Sequence, residues 1–217
     1  MKLTQKVILC LVVLVIGVVS FIYLRPESME THFKLEYESL NGKDNYIDVN
    51  IPSDNNIIYA DYEQIFDVLE GTGVIYFGFP ECPWCRNAIP VLIDAAKESG
   101  IENIYYLNNS EDRDSKILKD GKVITEKEGT DNYNKLLKKL GDKASTYEGL
   151  KDDSIKRLYF PTVVVVKNGE ITDYIEGTVD SQKDPYTPLN KDQEKELKDK
   201  YIKAMNKLKT CDQNSKC

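Results

Sequence analysis

Cys82 and Cys85 stand three apart in the stretch GFPECPWCRNAIP, residues 78–90, with Pro83 and the chain's only tryptophan, Trp84, between them. That spacing suits three kinds of chemistry. Two thiols can supply half of a zinc site, close into a fixed staple, or open and close as a redox centre. Zinc asks for two further ligands at suitable spacing. His32 is the only histidine, and nothing around it marks a ligand; it reads as a solvated linker residue. Cys211 and Cys217 remain, but the five-residue spacer between them is looser than the common zinc knuckles. A permanent Cys82–Cys85 disulfide would close a loop too short to gain much stability. Redox chemistry asks nothing more of the chain.

A thiol attacks as a thiolate, so its pKa has to fall below the ordinary value of about 8.5. The elements around the pair can do this. VIYFGF, residues 74–79, is a continuous apolar run of the kind found in a buried central strand. Pro83 suits the first position of a helix, in which Ile89, Leu92, Ile93 and Ala96 share a face and which Gly100 ends. Cys82 then sits where free N–H groups and the helix dipole favour negative charge. Cys85, one turn inward, is placed to attack a mixed disulfide and release the substrate. Arg86 is a candidate to stabilise the thiolate and Glu81 to oppose it. Trp84 offers an apolar contact beside the sulfur for unfolded or peptide substrates.

The strand NIYYL, residues 103–107, completes a β-α-β order, which implies a parallel sheet with a crossover helix. Upstream, residues 61–70 have helical spacing with Asp61 as N-cap. Residues 33–60 read as strand-like and irregular, with an Asn41–Gly42 turn and the alternating segment YIDVNIP. Residues 108–157 are charged and weakly periodic, with helices expected near 131–140 and 145–157. TVVVV, residues 162–166, is a strand, and the Asn168–Gly169 turn before EITDYI makes it half of a hairpin. Residues 191–209 give an amphipathic helix with Leu197, Tyr201, Met205 and Leu208 as its apolar stripe.

With 217 residues, 41% hydrophobic and 30% charged, the chain can bury one substantial core. Its formal net charge is −7, and beyond residue 24 there are 27 bases against 36 acids. Such a surface repels nucleic acid and anionic headgroups, and no Walker loop or GxGxxG pattern offsets that. Residues 7–24 form an 18-residue uncharged stretch behind Lys2 and Lys6. Its length suits a membrane-spanning anchor, and the flanking lysines place the following chain outside the cytoplasm. Val18, Val19 and Ser20 are small enough to permit cleavage after Ser20, which would instead release a secreted domain. Cys10 reads as a small apolar residue within this segment. The resulting plan is an anchor at 1–24, a linker at 25–32 and one domain at 33–217.

In these features the chain resembles the thioredoxin superfamily. Pro90 lies five residues after Cys85, where that family kinks its helix. FPTVVVVKNGE, residues 160–170, is similar to the family's Pro-Thr-strand-Lys-Asn-Gly-Glu segment, and Gly177 falls where the family has a glycine near the active site. The resemblance implies an α/β thioredoxin-like fold, a mixed sheet flanked by helices. It also implies a cis Pro161, with Phe160 and Thr162 beside it forming a cradle for an extended substrate. Two departures stand out. Pro-Trp replaces the usual Gly-Pro between the cysteines, closer in type to the Pro-Tyr of glutaredoxins. Tyr76 stands where many thioredoxins carry a buried aspartate. Cys82 and Pro161 are 79 residues apart, so roughly 109–157 is an insertion. In length, anchor and insertion the chain also resembles membrane-anchored thioredoxin-like proteins of Gram-positive bacteria, including bacteriocin transport accessory proteins.

The expected activity is that of a membrane-tethered, extracytoplasmic thiol–disulfide oxidoreductase acting on protein or peptide cysteines. It leans slightly towards reductase or isomerase. No bound cofactor is implied, only the redox-active pair and a membrane or extracytoplasmic redox partner. A non-catalytic peptide-binding or transport accessory protein and a disulfide-donating oxidase are the alternatives. Cys211 and Cys217 suggest a tail disulfide, two free tail thiols or a second redox station.

Overall fold

The computed structural model describes residues 27–209, together with Gln5 and Leu14, both helical. The apolar segment, apart from Leu14, and the Cys211–Cys217 pair lie outside the described residues. Among the described residues, no helix is long and apolar enough to cross a membrane.

Why the sheet forms where it does follows from residue type. Strand β2 (Gly73–Phe77) is buried on both faces, as its unbroken apolar run requires. It pairs in parallel with β3 (Ile104–Leu107), which pairs in parallel with β1 (Ile57–Tyr59). On its other side β2 pairs antiparallel with β8 (Thr162–Lys167), and β8 with β9 (Glu170–Glu176). The order is β1-β3-β2-β8-β9. Asn168 and Gly169, both at positive φ, make the tight turn between the last two strands.

Side-chain alternation along these strands feeds two cores. Val74, Tyr76, Val163 and Val165 face α1 (Met29–Glu38), α3 (Pro83–Glu98) and α5 (Lys191–Asn206) through Phe33, Ile89, Leu92, Leu197 and Tyr201. Ile75, Phe77, Val164 and Val166 face α2 (Tyr62–Glu70) and α4 (Asp131–Leu140) through Ile65, Leu69, Tyr133 and Leu136. The molecule is thus an α/β fold, a mixed sheet flanked by helices, and this arrangement is compatible with a thioredoxin-like fold.

Three segments depart from the sequence reading. Helix α1, capped by Ser28, occupies residues expected to be linker and irregular strand. Only Phe33 and Tyr37 of that helix are buried, so its apolar stripe is too thin to register as a period. YIDVNIP alternates as expected, with Val49 and Ile51 buried, yet it joins no sheet. Side chains take the place of a neighbouring strand. Asn41 brackets Val49 with hydrogen bonds of 3.0 and 2.7 Å, and the Glu38 carboxylate accepts from the Ile51 N–H at 2.8 Å.

In the insertion, residues 145–157 are not a helix but a loop closed by a two-residue ladder, β6 (Ser145–Thr146) with β7 (Lys156–Arg157). Gly149 and Lys151 at positive φ and an Asp152–Ser154 turn hold it. An exposed hairpin, β4 (Ser115–Lys119) with β5 (Lys122–Lys127), precedes α4 and has no counterpart in the sequence reading.

Candidate active site

Register brings the two halves of the site together. Phe77, the last residue of β2, stands opposite Thr162, the first residue of β8. The chain leaving β2 therefore carries Cys82 to the place where Phe160 and Pro161 enter β8. Cys82 is the N-cap of α3, in extended conformation, and Pro83 fills the first turn, where its missing N–H costs nothing. The Cys85 backbone N–H donates to the Cys82 sulfur at 3.2 Å, and the Cys82 thiol lies 3.9 Å from the Phe160 carbonyl oxygen. Both cysteines are free thiols. Cys82 is 5% exposed and Cys85 is fully buried, so only Cys82 offers an edge to an incoming disulfide.

The environment separates the two thiols electrostatically. A hydrogen bond from the Cys85 thiol, joined by the backbone N–H groups of Cys85 and Trp84 and by the charge of Arg113, holds Cys82 below the usual thiol range despite its burial. Cys85 moves the other way, pushed well up by burial and by its hydrogen bond to Cys82; the Phe79 backbone and the Tyr76 hydroxyl offset this only in part. One thiol is favoured as the thiolate and its neighbour as the protonated thiol.

Tyr76 supplies the polar end of that arrangement. It is wholly buried, and its hydroxyl lies 3.2 Å from that of Tyr37 on α1. Burial pushes both phenols well above their ordinary value, so both remain neutral hydroxyls. Gly78 makes room for the Tyr76 hydroxyl, because any side chain there would run into it. The polar groups at this position are therefore a pair of neutral phenols.

On the other side of the pair, the Phe160–Pro161 peptide bond is cis. The Pro161 carbonyl accepts from the Gly177 N–H at 2.8 Å, and Gly177 has the positive φ that glycine tolerates. Thr162 is buried and its hydroxyl donates to the Tyr159 carbonyl at 2.7 Å, which fixes the turn into β8. A groove of about 450 Å³ runs alongside, with Trp84, Tyr159, Phe160, Glu176 and Gly177 among its lining. Trp84 is half-buried, and Phe160 packs edge-on against Phe79 with ring centroids 5.3 Å apart.

Arg86 does something other than stabilise the thiolate. Its guanidinium is buried and committed to the carbonyls of Ile47, Tyr37 and Pro80 and to Asn41 Oδ1, at 2.7 to 3.2 Å. It ties the active-site helix to the segment behind α1. Glu81 stands exposed at the turn before Cys82. Arg113, from the insertion, is the cation whose charge acts on Cys82, and no sequence spacing marks it. Tyr37 is likewise invisible in the sequence, since its partner lies 39 positions away. Among the described residues, no group of three or more His, Cys, Asp or Glu is arranged to hold a metal ion. No protein-family model matches the chain, and no curated protein matches it either. What the site can do follows from its own atoms.

Proposed function

We propose that this protein is a thiol–disulfide oxidoreductase of thioredoxin-like fold, tethered to the membrane by residues 7–24 and acting on protein or peptide cysteines outside the cytoplasm. The observation that carries the reading is the free Cys82–Cys85 pair at the start of α3, facing the Phe160 carbonyl, with the two thiols driven to opposite ionisation. In the reducing direction, the Cys82 thiolate attacks one sulfur of a substrate disulfide and the other leaves as a thiolate. Cys85 then gives up its proton and attacks Cys82. The second substrate sulfur leaves, and two electrons have passed from the pair to the substrate. An external dithiol restores the pair. Phe160, Pro161 and the groove edged by Trp84 hold the substrate chain in this account.

The opposite direction has an observation in its favour. Every contact that stabilises the Cys82 thiolate also stabilises the reduced pair, which makes the disulfide a stronger oxidant. A reduction potential near −270 mV, about that of thioredoxin, supports the reductase; one near −120 mV, about that of a strong disulfide donor, supports the oxidase. The activity itself is tested by Cys85→Ser in living cells. An oxidoreductase accumulates mixed disulfides through Cys82, released by reductant. A non-catalytic binding or transport accessory protein accumulates none, and that result would end the enzymatic reading.

A further inference from the structure

Arg113 lies in the insertion, between β3 and the exposed hairpin, and its surroundings are unusual for a half-buried cation. The guanidinium carbon sits 4.3 Å over the Phe160 ring, and Nη1 donates to the Leu158 carbonyl at 3.4 Å. Nε is buried without a hydrogen-bond partner among the described residues. No carboxylate among those residues comes within ion-pair distance of Arg113. The two acids beside it in the chain are engaged elsewhere: Asp112 accepts from the Tyr62 hydroxyl at 2.9 Å, and Asp114 pairs with Lys116. A half-buried cation with a buried, unpartnered Nε and no counter-ion is costly, and it suits a place where a negative charge forms.

Phe160, over which the guanidinium lies, is the residue whose carbonyl the Cys82 thiol faces at 3.9 Å. We infer that Arg113 is the counter-cation of the Cys82 thiolate, delivered to the site by the insertion. The inference rests on the reading of Cys82 as the attacking thiol. The other titratable groups near Cys82 are Cys85, Tyr76 and the exposed Glu81 at the preceding turn; Arg157, Tyr133 and Tyr147 surround Arg113 itself. Burial raises the Tyr133 and Tyr76 phenols and keeps them neutral, and Arg157 repels Arg113, so none of these supplies the missing anion. The electrostatics of Cys82 agree, since Arg113 lowers its proton affinity while Arg86 is occupied elsewhere. Arg113 is a positioning residue in this scheme, acting through the ionisation of Cys82. The insertion thereby becomes part of the active site rather than an appendage to it.

The test is the pH dependence of iodoacetamide labelling at Cys82, followed by mass spectrometry. It uses the full-length chain in detergent, with Cys10, Cys211 and Cys217 changed to alanine. Arg113→Met is expected to cut the thiolate fraction at neutral pH about tenfold, and Arg113→Lys to restore most of it. A tenfold rise in the proton affinity of the Cys82 thiolate also lowers the reduction potential, because the reduced form loses its stabiliser. The fall is about 30 mV at a pH above the variant's Cys82 pKa and smaller below it. Arg157→Met removes a neighbouring cation and should leave the Cys82 titration unchanged. Should Arg113→Met not fold, Arg113→Gln removes the charge while keeping a donor for the Leu158 carbonyl, and decides the matter. An unchanged titration in a folded, uncharged variant overturns the inference, as does an equal shift from Arg157→Met. Failure to trap mixed disulfides with Cys85→Ser would sink the oxidoreductase reading instead, and it would leave this titration readable.

Discussion

At the scale of single residues, the site works by giving two identical side chains opposite tendencies. Cys82 borrows donors from the first turn of α3, while Cys85 is fully buried in mostly apolar surroundings, and its hydrogen bond to Cys82 holds its proton. Labelling of the reduced protein should therefore follow two titrations. Cys82 reacts with an apparent pKa below the ordinary thiol value of about 8.5, and Cys85 stays inert until well above it. A single titration at the ordinary value for both would contradict the separation. The reduction potential should register the same asymmetry. Below the Cys82 pKa, reduction of the disulfide takes up two protons, so the potential falls by about 59 mV per pH unit. Above it only one proton is taken up, and the slope drops to about 30 mV per unit. The CxxC spacing and the helix start were legible in the sequence because they depend on neighbours along the chain. The roles of Tyr76, Arg86 and Arg113 were not, because their partners are assigned by packing.

Among the elements, α3 holds the site and Arg86 holds α3. Four hydrogen bonds from one guanidinium join the helix to the carbonyls of Tyr37, Ile47 and Pro80 and to Asn41. Asn41 in turn supports the strand-like segment at Val49. Arg86→Met should leave these acceptors without their donor and cost about 3 kcal/mol in denaturant unfolding. The Cys82 titration should stay in place, a combination that a thiolate-stabilising arginine would not give. The same interlock shows what sequence reading can reach. β2, α3, β3 and the β8–β9 hairpin announce themselves through apolar runs, a Pro at a helix start and an Asn-Gly turn. YIDVNIP has the alternation of a strand, and nothing local says that its hydrogen bonds will go to side chains. The segment 145–157 has helix-forming residues, but Gly149 and the Asp152–Ser154 turn outweigh them once the short β6–β7 ladder closes.

For the molecule as a whole, the insertion divides into a part that belongs to the core and a part that does not. Helix α4 buries Tyr133, Leu136 and Leu140 against the face of the sheet that also holds the cysteines. Leu136→Ala should cost about 3 kcal/mol by thermal or denaturant melting. The β4–β5 hairpin exposes Ile117, Val123 and Ile124, and changing each to threonine should move stability by no more than about 0.5 kcal/mol. Equal losses at both places would mean that the insertion folds as one unit. Helix α1 raises a different matter at this scale. In the tethered protein we propose, only Arg25 to Ser28 separate the apolar run from Met29, and four extended residues reach about 14 Å. Phe33 and Tyr37 anchor α1 firmly in the core, so it does not lengthen that leash. The domain would hug the bilayer, and its substrates would find it by drifting in the plane of the membrane or by emerging beside it. Surface crowding, not bulk concentration, would then set how often Cys82 meets a disulfide.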